Sequence, residues 1–81
     1  MSTITATDVE TTVTEALESF GADAADINRD ATLESLDIDS LDLAELSQIA
    51  EEKYGVALKG SDAERLKTVG NCIDLILERA A

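Results

Sequence analysis

The run Leu36-Asp37-Ile38-Asp39-Ser40-Leu41-Asp42-Leu43-Ala44-Glu45-Leu46 holds the residues of this chain best suited to chemistry. It sets one serine at the start of an acidic, amphipathic helix, with aspartates on both sides. A hydroxyl there is open to solvent and close to the partial positive charge of a helix N-terminus, a favourable place for a phosphate ester. The same serine also suits a cap or first-turn role, and Asp39 suits the cap itself. On these residues alone Ser40 is either an attachment point or a cap.

The rest of the composition limits what Ser40 can do unaided. The chain contains no histidine, which removes Ser-His and Cys-His nucleophile pairs and the usual general base. One cysteine, Cys72, cannot supply a structural zinc site and reads as buried packing. Asp37, Asp39 and Asp42 suggest a calcium loop, but Leu41, Asp42 and Gln48 fall where that loop needs a ligand, a glycine and a glutamate. The reading is therefore no metal site and no enzyme: chemistry at Ser40 has to be performed by a partner.

Behind these residues stands a small chain of 81 residues, 44% of them hydrophobic. That composition reads as one folded domain over residues 1–81, near the size where a single core is adequate. Phe20 and Tyr54 are its two aromatic residues. A lone cysteine fits a reducing compartment, and no stretch approaches the roughly 20 apolar residues of a membrane span, so the expectation is a soluble, cytoplasmic monomer. The formal net charge of −12 is carried by residues 1–58, where fourteen acids face only Arg29 and Lys53. Such a surface repels nucleic-acid phosphates and anionic lipid and suits basic protein partners.

Four helices account for the pattern. The first is expected from Asp8 to Phe20, with Thr7 and Glu10 as a capping box, Val9, Val13, Ala16, Leu17 and Phe20 on one face, and Gly21 as its stop. Residues 21–39 carry no sustained period, so Ile27, Leu33 and Leu36 are the expected pins of a long connection. The second begins at Asp39 or Ser40 and ends near Tyr54 before Gly55, with Leu43, Leu46, Ala50 and Tyr54 inward. A short third helix fits residues 62–66, opened by Ser61 and Glu64. The last is capped by Thr68 and turns Val69, Cys72, Ile73, Ile76 and Leu77 inward. No segment shows strand alternation. The fold class is all-α, a small four-helix bundle.

In this register, Leu36-Asp37-Ile38-Asp39-Ser40-Leu41-Asp42 resembles the L-G-x-D-S-L-D pattern of the acyl carrier proteins. Ala44-Glu45-Leu46 and Glu51-Glu52-Lys53-Tyr54-Gly55-Val56 are similar to that family's second helix, and Thr68-Val69-Gly70-Asn71 to the opening of its last. The resemblance covers about residues 8–80. It implies a four-helix bundle of acyl-carrier type and a serine, Ser40, esterified with 4′-phosphopantetheine by a phosphopantetheinyl transferase. The thiol of the arm then holds acyl or polyketide intermediates as thioesters for a fatty-acid or polyketide synthase. Its partners would be ketosynthase, acyltransferase, reductase and dehydratase enzymes. Their basic patches would meet Asp39, Asp42, Glu45, Glu51 and Glu52, with Leu41, Ala44 and Gln48 as the contact between charges. Two departures stand out: Asp37 replaces a common glycine, and Lys59-Gly60-Ser61 replaces a proline-containing opening. The alternatives are a stand-alone peptidyl or aryl carrier, and an unmodified acidic helical module that docks on basic proteins.

Overall fold

Thr5 and Asp8 start the chain's first helix, in a computed structural model that describes residues 4–59, 62 and 64–80. The Thr5 hydroxyl accepts the Asp8 N–H at 3.2 Å, and Asp8 Oδ2 accepts the Thr5 N–H at 3.3 Å. This reciprocal cap opens α1, Ala6–Ser19. The expected pair Thr7 and Glu10 is not the cap, and the helix begins two residues before Asp8. The earlier register puts Ile4 just ahead of the cap, where it packs against the core that holds Val9. That is the arrangement of a hydrophobic staple, which the later register would forgo. At the other end Gly21, at φ 108°, lets its own N–H reach Glu18 O and that of Ala22 reach Leu17 O, both at 3.0 Å. Those two bonds satisfy carbonyls the ended helix leaves open.

The second helix, α2, spans Ser40–Tyr54 and stops at Gly55, whose φ of 68° is left-handed. The third, α3, spans Val69–Ala80. Thr68 caps it as expected, its hydroxyl accepting the Asn71 N–H at 3.1 Å, and Asn71 Oδ1 accepts the N–H groups of Thr68 and Lys67 in return. Among the described residues these are the α-helices. A short 3-10 turn, Ala24–Asp26, lies between α1 and α2, Asp62 and Glu64 between α2 and α3 also have 3-10 backbone, and an isolated antiparallel bridge joins Thr32 and Thr68. The fold is all-α. The expected helix over 62–66 depends on Ser61 and Ala63, which lie outside the described residues.

Helical spacing decides what is buried. Val9, Val13, Ala16 and Leu17 of α1 meet Leu46 and Ala50 of α2 and Val69, Cys72, Ile73, Leu75 and Ile76 of α3 in one core. Leu17, Leu46, Ile73 and Ile76 are its largest fully enclosed side chains, each worth about 1.5–3 kcal/mol relative to exposure. Phe20, Leu43, Tyr54 and Leu77 pack on its edge. Cys72 has no exposed surface, and burial pushes its thiol up to about 11, so it packs as a neutral thiol.

The long connection between α1 and α2 is tied down mainly at the start of α3. Leu33 N–H donates to Lys67 O, Val69 N–H to Ala31 O and Gly70 N–H to Arg29 O, each at 3.0 Å. Arg29 Nη2 adds two 2.8 Å bonds to the carboxylate of Asp74. Leu33 and Ile38 are buried, and Ile27 and Leu36 half-buried against the core. The three expected pins hold, and Ile38 joins them. This fastening delivers the backbone to Asp39 and so decides where α2 begins.

Candidate functional site

Asp39, not Ser40, caps α2. Asp39 Oδ1 accepts the Asp42 N–H at 3.0 Å, and Asp42 Oδ2 accepts the Asp39 N–H at 3.3 Å. Ser40 is thereby the first residue inside the helix, exposed, and among the described residues its hydroxyl has no hydrogen-bond partner. The cap also engages both neighbouring carboxylates with backbone N–H groups. Of the first-turn donors, those of Ser40 and Leu41 remain uncommitted among the described residues, and such donors favour an anion.

Asp37 reaches this turn in the left-handed region, at φ 58°, the one non-glycine residue with positive φ among those described. Glycine adopts that conformation without strain, and aspartate is among the few side chains that tolerate it. The departure at position 37 thus keeps a glycine-like backbone.

Along α2 the expected partner-facing residues separate by helical phase. At about 100° per residue, Leu41, Ala44, Glu45, Gln48, Glu51 and Glu52 fall within an arc of about 120°, and Ser40 lies at its edge. All are exposed, Leu41 to 75%, the most exposed large hydrophobic residue described. Leu41 is therefore not core. Asp42 stands apart from the arc: half-buried, and tied into the cap.

On the other flank of Ser40 lies a cleft of about 370 Å³, which Ser40 lines together with Leu43, Ala44, Ser47, Leu58 and Leu66. Ser47 turns its one hydroxyl proton to Leu58 O at 3.1 Å, which leaves the walls largely apolar. Lys59 is the charged residue at its rim. The Lys59 N–H donates to Asp62 Oδ2 at 2.7 Å, and its carbonyl accepts the Asp62 N–H at 2.9 Å. Asp62 is in turn held by Arg79 through two bonds of 2.5 and 2.7 Å. The Arg79 hydrogen bonds, with the Lys59 N–H, hold the Asp62 carboxyl down at about 2. Sequence reasoning found neither the cleft nor this ion pair. The only available signal was the equal number of acids and bases after residue 58.

Residues 5–76 match the family model described as "Phosphopantetheine attachment site". The chain belongs to the acyl carrier proteins. It is 42% identical over 64 residues to the acyl carrier protein of Chlamydia caviae, covering 78% of this chain and 83% of that one. It is 41% identical over 64 residues to that of Chlamydia felis, with 78% and 82% covered. The acyl carrier protein of Solidesulfovibrio magneticus is 39% identical over 61 residues, covering 74% and 78%. The family consists of carriers rather than enzymes, and its cofactor is phosphopantetheine. Among the described residues, no helix of this carrier is long and apolar enough to cross a membrane, and no group of three or more potential ligands is set to hold a metal ion.

Proposed function

We propose that Ser40 carries 4′-phosphopantetheine and that this carrier serves the enzymes of a fatty-acid or polyketide synthase. The observation that carries the reading is the division of labour at α2: Asp39 performs the cap, which leaves the Ser40 hydroxyl free beside an apolar cleft. The residues present suit the group. A phosphodiester on Ser40 Oγ would find the uncommitted N–H groups of Ser40 and Leu41, while the nearest carboxylates are already engaged by backbone donors. When attached, the arm supplies a thiol that holds acyl groups. The chain's own part is to present that arm and to be recognised.

Recognition falls to the exposed arc. Glu45, Glu51 and Glu52 of the arc, joined by Asp39 from the cap, meet arginine and lysine of the transferase and of ketosynthase, acyltransferase, reductase and dehydratase partners, while Leu41, Ala44 and Gln48 make the contact between them. Asp42 contributes its charge from the cap. Surface charge of this kind chiefly speeds encounter and is salt-sensitive, which suits brief visits to several enzymes. Residues 1–81 act as a single cytoplasmic carrier domain, monomeric when free, with residues 62–66 as the short helix of a four-helix bundle. The apolar walls of Leu43, Leu58 and Leu66 give an acyl chain a place out of water.

Intact mass after incubation with a phosphopantetheinyl transferase and coenzyme A tests the assignment. Wild type gains the mass of the arm and Ser40→Ala does not. An equal gain in Ser40→Ala moves the attachment elsewhere, and no gain in wild type points to an unmodified acidic module.

A further inference from the structure

We propose that Lys59 is the ion-pair partner of the phosphodiester on Ser40, anchoring the root of the arm across the mouth of the cleft. The inference rests on Ser40 as the attachment point and goes beyond it by assigning a counter-charge from another part of the chain. Three observations carry it.

The first is placement. Ser40 and Lys59 line the same cleft, Ser40 from the first turn of α2 and Lys59 from the segment after it. The second is charge. Residues 1–58 carry the full −12, and the first turn of α2 already holds the carboxylates of Asp39 and Asp42. A phosphodiester on Ser40 adds another negative charge there, and Lys59 is the cation lining the space it enters. Arg29, Arg65 and Arg79 have acidic partners in Asp74, Glu78 and Asp62, whereas Lys59 has none within ion-pair distance among the described residues.

The third is fixation. The backbone of Lys59 is bonded in both directions to Asp62, and two hydrogen bonds clamp Asp62 to Arg79 of α3. The Lys59 backbone is thus fixed, while the residue as a whole is exposed and lines the cleft. An ammonium on a flexible stem pairs with phosphate as a point charge and needs no single geometry. The pair stays partly in water, so salt weakens it.

The test is phosphorus NMR on the intact holo protein, compared for wild type, Lys59→Gln and Lys59→Arg, with melting of each apo form as a folding control. The wild-type phosphodiester resonance shifts as salt is raised from about 10 mM to about 1 M, where the screening length falls from about 30 Å to about 3 Å. In Lys59→Gln the resonance starts near the high-salt position and its salt response is lost, while Lys59→Arg restores both. A resonance that is the same in Lys59→Gln as in wild type at low salt overturns the ion pair and leaves Ser40 as the attachment point. A wild-type protein that gains neither the mass of the arm nor a phosphorus signal overturns the attachment reading, and this inference with it. The salt response of wild type needs no substitution, so a variant that failed to fold would not leave the question open.

Discussion

Arg79 of α3 grips Asp62 with two bonds, Nη1 to Oδ2 at 2.5 Å and Nη2 to Oδ1 at 2.7 Å, across seventeen residues of chain. Asp62 is only 6% exposed, and its carboxylate also takes the Lys59 N–H. Arg79 extends the clasp by donating to Ala57 O at 3.0 Å. One two-point pair therefore ties both the rim of the cleft and the segment leaving α2 to the last helix.

That pair makes stability depend on acid in a definite direction. The folded carboxyl of Asp62 lies at about 2, below the ordinary 3.8, so its contribution is complete above about pH 4 and is lost as pH falls through about 2. Asp62→Asn cannot form the charged pair at any pH. The gap in melting temperature between wild type and Asp62→Asn should be largest near neutrality and close between about pH 4 and pH 2. A gap that stays constant over that range would mean the charge of Asp62 does not matter to the clasp.

Gly70 is the place where helix propensity and packing conflict. Alanine is ordinarily the better helix former by about 1 kcal/mol. Here an added Cβ would meet the carbonyl oxygen of Arg29 at 3.0 Å, and that carbonyl already accepts the Gly70 N–H. It cannot retreat without lengthening that bond and straining the neighbouring bond from Val69 N–H to Ala31 O. The two strained bonds, at about 1 kcal/mol each, outweigh the propensity gain, so Gly70→Ala is expected to destabilise by about 1 kcal/mol net, as read by urea denaturation. A more stable variant would show that the loop yields.

Asp37 tests the backbone ahead of the serine. Its left-handed φ of 58° costs an alanine about 1 kcal/mol and a glycine almost nothing. Asp37→Ala should lose about that much stability, while Asp37→Gly should hold or raise the melting temperature, since it also removes one of the crowded acids. Equal stability for alanine and glycine would rule out backbone conformation as what matters at this position.

Charge crowding gives a prediction for the whole chain. Screening the repulsion among the fourteen acids of residues 1–58 should raise the melting temperature from low to moderate salt. The exposed pairs Arg29–Asp74 and Arg65–Glu78 weaken in the same range, but surface pairs contribute little. A flat or falling melting temperature would reverse that ranking.

What the sequence determined by itself was local or periodic. Helical spacing marked the inward faces of α1, α2 and α3. Gly21 and Gly55 marked two stops, and Thr68 the last cap. The order Asp39-Ser40-Leu41 put the serine at the head of α2, and the run around it carried the family. These signals work because helix period, caps and left-handed stops are set by residues within a turn of one another. The cap misread, at Thr7 in place of Thr5, is also local: Thr5 and Asp8 form the reciprocal cap with Ile4 just ahead of it, a pattern that competes with Thr7 and Glu10 two residues on.

Tertiary structure decided everything that joins distant residues. Asp62 and Arg79 looked like ordinary surface charges until packing placed them together, and Arg29, Asp74 and Gly70 met only because the long connection lies against α3. The Ser40 hydroxyl became free because Asp39 and Asp42 satisfied the cap between themselves. The cleft beside Ser40 exists only where α2 meets the segment that carries Leu58, Lys59 and Leu66. A pairing across tens of residues depends on the shape of the folded chain, and shape is a property of the whole core rather than of any run within it.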